Sequence, residues 1–264
     1  MTALSHSQSD RALTPQWLLV MTATIQPASQ ADVRRSDPAL RLADYQRALR
    51  FWLAEADPVA ARILFLENSS ADLSSLQSIA AEENPLGKSV EFHSIPASPI
   101  PHGLNYGFSE MELLDAGLER SALRAETTHM VKTTGRLIFP SLGRAIRMLP
   151  TAPELLIDCR RFPWPRRGAD ARVQIFACSH GFYGQHLRGA QQRMRPDHLR
   201  LLEQLLYDCV IAQQGEPGVF LRFPCNVDPV GYSGFKGSSY QTAGQRIDQS
   251  LRALLRQIAP SFWY

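Results

Sequence analysis

Residues Arg62–Glu83, RILFLENSSADLSSLQSIAAEE, decide the fold class. Ile63–Leu66 is a short apolar run rich in strand formers, which predicts a buried strand. Glu67-Asn68-Ser69-Ser70 ends that run with polar turn residues. Asp72 is then placed to cap a helix over Leu73–Glu83. This strand, turn and helix unit recurs on both sides. Upstream, Gln16–Ile25 (QWLLVMTATI) predicts a buried strand. From Asp37-Pro38, Leu40, Leu42, Tyr45, Leu49, Phe51, Trp52 and Leu53 follow at roughly helical spacing. Downstream come a strand at Ser89–Ile95 and a Pro/Gly-rich loop at Pro96–Gly107. A helix is predicted from Ser109 to about Leu123, opened by a Ser-x-x-Glu capping box with Glu112. His129–Val131 predicts a fourth strand, Leu142–Leu149 a short helix, and Leu155–Ile157 a fifth strand ending at Asp158. Alternation of this kind predicts an α/β fold, a doubly wound and mainly parallel sheet flanked by helices. In such sheets ligands bind beyond the carboxyl ends of the strands.

The remainder is less regular. A strand is expected at Arg172–Ala177, a helical stretch at Gln185–Met194 and an amphipathic helix at Pro196–Gln213. A strand at Val219–Phe223, a glycine-rich loop at Asp228–Ser239 and a last helix at Arg246–Ile258 complete the chain. With no repeat and no linker, residues 15–264 are taken as one domain behind a flexible tail, residues 1–14. The aromatic end Phe262-Trp263-Tyr264 is expected to pack on it.

Bulk properties narrow the function classes. The chain has 264 residues, 44% hydrophobic and 20% charged, ordinary for a globular protein. A net charge of +3 is too small to indicate nucleic acid. Of 28 basic residues only Lys88, Lys132 and Lys236 are lysines, so each departs from the chain's preference for arginine. Cys159, Cys178, Cys209 and Cys225 form no CxxC, which fits a reducing, cytoplasmic compartment. No apolar run reaches the roughly 18 residues of a membrane span. The polar first 14 residues carry no signal-peptide pattern.

Four loops carry chemistry-bearing side chains. Thr22 and Thr24, with Glu67, Asn68, Ser69 and Asp72, put hydroxyls, an amide and carboxylates after two strands, suited to a base and ribose. Caps and turns would use the same residues. Lys132-Thr133-Thr134-Gly135-Arg136 places two cations and a glycine within five residues, suited to a diphosphate. It lacks the spacing of a Walker loop. Asp158, followed by Cys159-Arg160-Arg161, is a candidate general base, as is Glu110. A structural salt bridge at Asp158, and a helix-dipole role for Glu110, are the plainer alternatives. Ser179–Gly184, with His180 and Tyr183, and Gly231–Gly237, with Tyr232 and Lys236, are glycine-aromatic loops suited to stacking on sugar rings. His180 and His186 lie six apart, the wrong spacing for a helical metal pair.

TATI at 22–25, ENSS at 67–70, GLNYGFSE at 103–110 and VKTTGRL at 131–137 together resemble a group of small bacterial and viral proteins with ENS and K-x-TGR motifs. These are regarded as sugar transferases of the GT-A type, the nucleotide-diphospho-sugar transferase superfamily. The resemblance implies a nucleotide-binding half, residues 15–160, and an acceptor-side half, residues 161–264. It implies Thr22, Thr24, Glu67, Asn68 and Ser69 around the nucleotide. It sets Lys132, Thr134, Gly135 and Arg136 where the superfamily carries an Asp-x-Asp metal motif. Cationic side chains at that place suggest that they replace charge otherwise supplied by Mg or Mn, with Asp158 the one site that would instead hold such an ion. The implied partners are a nucleotide-sugar donor and a glycan acceptor, met by His180, Tyr183, Tyr232 and Lys236, with Asp158 or Glu110 taking the acceptor proton. The implied setting is polysaccharide or glycan synthesis in the cytoplasm, with peripheral contact at the inner face of the membrane left open. A non-catalytic nucleotide- or glycan-binding module of the same fold is the alternative. Donor identity, linkage and oligomeric state are not encoded legibly.

Overall fold

A computed structural model describes residues 15–28, 33–161, 169–197 and 201–242, together with 244, 250 and 254. The expected tail 1–14, most of the last helix and the aromatic end lie outside these residues.

Among the described residues, seven strands form one sheet in the order β3-β2-β1-β4-β6-β5-β7. β1 (Trp17–Ala23), β2 (Arg62–Glu67), β3 (Ser89–Ser94) and β4 (His129–Thr134) pair in parallel. β6 (Ala169–Ser179) is antiparallel to both β4 and β5 (Leu155–Arg161). β7 (Val219–Phe220) runs parallel to β5. Only β6 therefore opposes the common direction, and the fold is the doubly wound, mainly parallel class that the alternation predicts.

Alternation along each strand builds two cores. In β1, Leu18 and Val20 join a cluster under α3 (Tyr106–Arg120) and α6 (Leu201–Ile211). Trp17, Leu19 and Met21 join a second cluster on the opposite face. That face carries α1 (Pro38–Ala54), α2 (Ser74–Glu82) and α4 (Leu142–Arg147). Strands buried on both faces read as continuous apolar runs, which is why QWLLVM and RILFL were legible.

Local chemistry sets the helix ends. Asp37 caps α1, accepting from the Ala39 amide at 2.8 Å, with Pro38 as first residue. Asp72 accepts from the Ser74 amide at 2.9 Å at the start of α2. α3 begins three residues earlier than its expected start, because Asn105 accepts from the Gly107 amide at 3.0 Å. Ser109 consequently lies inside the helix and the Ser109–Glu112 box does not form. Gln185–Met194 is a chain of short turns rather than one helix: α5 (His180–Phe182) leads into a wide turn and then a 3₁₀ turn.

Gly117 sets how closely α3 approaches the sheet. A Cβ there would collide with the Leu66 side chain on β2. Gly117→Ala should lower stability by about 1–3 kcal/mol through overpacking, despite the better helix propensity of alanine. Urea denaturation checks this, and an unchanged midpoint would count against the close contact.

Candidate active site

The sheet's strand order turns around between β1 and β4, the place where doubly wound folds leave a crevice. A cleft of about 710 Å³ opens there. Its walls come from the loops after β1 and β2, the start of α3, the turn after β4, the beginning of β6 and residues 233–240.

Beneath the cleft lies an ion pair. β4 continues through Thr134, so Lys132 is a strand residue rather than a loop residue, and it is only 2% exposed. Its ammonium donates to Glu110 Oε1 at 2.6 Å and to the Val173 carbonyl at 2.7 Å. Thr22 Oγ1 donates to the same Glu110 oxygen at 2.8 Å. Burial by itself would raise the pKa of Glu110. Lys132 outweighs it, helped by Thr22 and the charge of Arg136, and the carboxyl is held below the usual range. Glu110 is thus an ionised carboxylate on the cleft wall and, with a lowered pKa, a weak base.

The turn after β4 presents the other cation. Gly135 donates its amide to the Thr22 carbonyl at 2.8 Å, and a Cβ at Gly135 would lie 2.9 Å from that oxygen. Only glycine lets the turn press against β1 this closely. Arg136 follows and lines the cleft. Its Nε and Nη1 are buried yet have no hydrogen-bond partner among the described residues. The loop over it contains Gly234, where a Cβ would stand 2.6 Å from Arg136 Nη2. Backbone bonds between Ile138 and Val230 fasten this loop to the chain beyond Arg136. The KTTGR and glycine-rich segments thus share one corner of the cleft.

The loops after β1 and β2 are cross-braced. Glu67 is fully buried and accepts from the amides of Ile25 at 3.1 Å, Ser69 at 2.8 Å and Ala71 at 3.2 Å. Ser69 Oγ bonds to Glu67 and accepts from the Gln26 amide at 2.9 Å. Both residues are occupied in holding the loops, and neither lines the cleft. Thr24 and Asn68 do line the cleft, joined by a 2.6 Å bond from Thr24 Oγ1 to Asn68 Oδ1. Arg41 donates to the Thr24 carbonyl at 2.6 Å and stiffens the same wall.

Three expected site residues lie elsewhere. Because β6 is antiparallel, the loop after it opens at the amino end of the parallel strands, with Ser179 opposite His129. His180 and Tyr183 are carried to that far end. His180 Nε2 pairs with Thr127 Oγ1 at 2.8 Å, and the Tyr183 hydroxyl donates to Asp115 at 2.6 Å. Burial first, then Arg124 and His129, push His180 down to about 4. Asp158, on β5, accepts from the Phe223 amide at 3.1 Å and faces Arg172 at 3.7 Å. It is 5% exposed and secures the chain after β7 instead of lining the cleft.

Tyr232 packs under the Arg35 guanidinium, 4.2 Å from the ring centre. Lys236 is exposed on the rim beside Phe235, which is 66% exposed. The carboxylate that sequence reasoning missed is Asp170. It lines the cleft and pairs with Arg160 at 3.1 Å. Its signal was weak, since it precedes the strand pattern beginning at Arg172.

Among the described residues, no three His, Cys, Asp or Glu side chains group as metal ligands. Glu110 and Asp170 fit a divalent ion poorly, because each is engaged by a cation of the chain itself.

No protein-family model matches the chain, and no curated protein sequence matches it. Solved structures do. A 4-diphosphocytidyl-2C-methyl-D-erythritol synthase aligns over 92% of this chain and 99% of its own, at 11% identity and a TM-score of 0.44. A provisionally assigned nucleotide-diphospho-sugar transferase from Desulfovibrio desulfuricans G20 aligns over 92% and 98%, at 12% identity and a TM-score of 0.42. Mouse xyloside xylosyltransferase 1 aligns over 74% and 75%, at 15% identity and a TM-score of 0.36. At these values the likeness is one of overall chain path and says nothing of what this chain binds.

Two outcomes follow from the geometry. Glu110→Gln should cost about 3–5 kcal/mol, since it strands the buried Lys132 ammonium, and Lys132→Met should cost less, since Glu110 reaches the cleft. The double variant should be less destabilised than the sum of the two, by about 1–3 kcal/mol, in a denaturation cycle. Additive losses would mean that the pair is not coupled.

His180 stays neutral in the fold down to about pH 4, whereas an unfolded histidine titrates near 6.5. The unfolded state therefore binds more protons between these values, and stability should fall as pH drops through that window. His180→Gln should flatten the pH dependence of the urea midpoint between pH 6.5 and 4. His129, also held down mainly by burial, keeps its own share in both proteins. Parallel curves would refute the assignment.

Proposed function

We propose that the cleft binds a nucleoside-diphospho-sugar and that the protein transfers its sugar to an acceptor hydroxyl of a glycan. The observation that carries this is Arg136: two buried guanidinium nitrogens without partners, on the wall of a cleft at the strand turnaround. Leaving such groups unpaired is costly, and a diphosphate oxygen satisfies them with charge-assisted bonds. Thr24, Asn68 and Thr134 supply uncharged hydrogen-bonding groups on the same walls, suited to a ribose or base. Phe235 and Lys236 on the rim suit the approach of a sugar ring and an anionic group.

In the transfer, negative charge grows on the departing diphosphate and positive charge on the sugar. Arg136 would stabilise the first. Glu110, kept ionised by Lys132, would stabilise the second. Lys132 is thereby a positioning residue, acting through Glu110. Four free thiols agree with a cytoplasmic setting. No helix among the described residues is long and apolar enough to cross a membrane. One observation favours binding without turnover: Glu110 and Asp170, two of the carboxylates lining the cleft, are already paired with the chain's own cations.

UDP, GDP and CMP titrated calorimetrically, followed by turnover assays with the matching nucleotide sugars, separate the two. Arg136→Ala should weaken diphosphate binding about 10–100-fold, the equivalent of a charged hydrogen bond of about 1.5–3 kcal/mol. Arg136→Lys should recover part of it. Unchanged affinity in Arg136→Ala would remove the proposed role, and tight binding with no sugar release from any donor would favour the binding module.

A further inference from the structure

A second cavity, of about 280 Å³, lies along α3 beside residues 95–98. It adjoins the main cleft, with Asn68 and Leu113 lining both. Three of its polar groups are buried and have no hydrogen-bond partner among the described residues: Ser109 Oγ, Glu112 Oε2 and Gln191 Oε1. Ser109 is 4% exposed and Gln191 6%, so solvent reaches neither freely. The orientation of Gln191 is fixed, because its amide nitrogen donates to Asp115 Oδ2 at 2.9 Å. An oxygen turned toward that carboxylate would be repelled, so Oε1 remains to accept a bond elsewhere.

The electrostatics select the occupant. Asp115 accepts from the Tyr183 hydroxyl, the Gly189 amide and Gln191, all uncharged donors. Glu119 is paired with Arg188 at 3.3 Å, but no ion pair of Glu112 or Asp115 is formed among the described residues. Burial, and then the neighbouring charge of Asp115, raise the pKa of Glu112. Two acceptor oxygens and one hydroxyl without partners thus belong to residues lining a cavity with uncompensated negative charge. A neutral polyol would meet the hydrogen bonds and leave the charge. An ammonium group with adjacent hydroxyls meets both.

We propose that this cavity is a binding site for a small amine-bearing polyhydroxyl ligand of the amino-sugar class, its ammonium held by Glu112 and the Gln191 carbonyl oxygen and a hydroxyl held by Ser109. The volume lies below the roughly 300 Å³ at which pockets for drug-sized ligands begin, which suits a single sugar ring. The proposal does not depend on what the larger cleft takes.

The test titrates glucosamine, glucose and N-acetylglucosamine into the full chain at neutral pH, read by ligand-observed NMR. The ring is shared and only glucosamine carries the ammonium. Glucosamine should bind at least tenfold tighter than either control, and Glu112→Gln should abolish that preference. Ser109→Ala should weaken glucosamine severalfold without abolishing the preference. UDP titrated into the same samples reports the main cleft and the integrity of the fold separately. Equal binding of all three sugars, binding of none, or a preference that survives in folded Glu112→Gln would overturn the assignment.

Discussion

The ammonium of Lys132 lies inside the protein between β4, α3 and β6, and the cleft is organised around that buried charge. Two ions taken out of water cost several kcal/mol each unless their geometry is well satisfied. Here Glu110 supplies the countercharge, the Val173 carbonyl a second acceptor, and Thr22 a bond to the Glu110 oxygen. Those contacts fix the first turns of α3 against the carboxyl ends of β1 and β4. They also cancel the charge beneath the cleft. An incoming anion therefore meets Arg136 rather than a diffuse pair of cations. The two basic residues of KTTGR have separate tasks: one is structural and sets a carboxylate, and the other is presented to the cleft.

The reversed direction of β6 then determines which side chains join them. A strand running against its neighbours brings its beginning, not its end, to the carboxyl edge of the sheet. Asp170 and Val173 consequently line the cleft, while Ser179, His180 and Tyr183 are carried to the opposite edge. At that edge Tyr183 and Gln191 gather around Asp115 on the lower part of α3. The same reversal that removes two expected residues from the cleft leaves α3 with polar groups on two sides.

This explains how much was legible from sequence. β1 and β2 announce themselves because a strand buried on both faces is largely apolar, as WLLVM and ILFL are. The turns follow from residue types that break those runs, so Thr24, Asn68 and Arg136 were found where a crevice would need them. Strand direction leaves no comparable local mark. Nothing in ARVQIFACS distinguishes a parallel from an antiparallel neighbour, so the end that His180 would reach was not readable. The bracing role of Glu67 was hidden for a related reason. A carboxylate that accepts three backbone amides looks, in sequence, like one awaiting a ribose. Lys132 looked like part of a loop because buried lysines are rare, and its partner lies 22 residues away on another element.

The distribution of charge bears on how a diphosphate would be neutralised. A divalent ion takes carboxylate oxygens as its ligands. In this cleft the Glu110 oxygen that bonds Lys132 also receives Thr22, and Asp170 is held by Arg160. An ion taking either of these engaged oxygens would displace a cation of the chain from its partner. The guanidinium of Arg136 faces no such competition, since two of its nitrogens are buried and unpartnered. Under the proposed reading, a diphosphate contacts Arg136 directly, with the charge of Lys132 paired with Glu110 beneath it. Under the proposed reading, charge that a metal motif would supply from a bound ion is instead carried by Arg136 on the turn after β4.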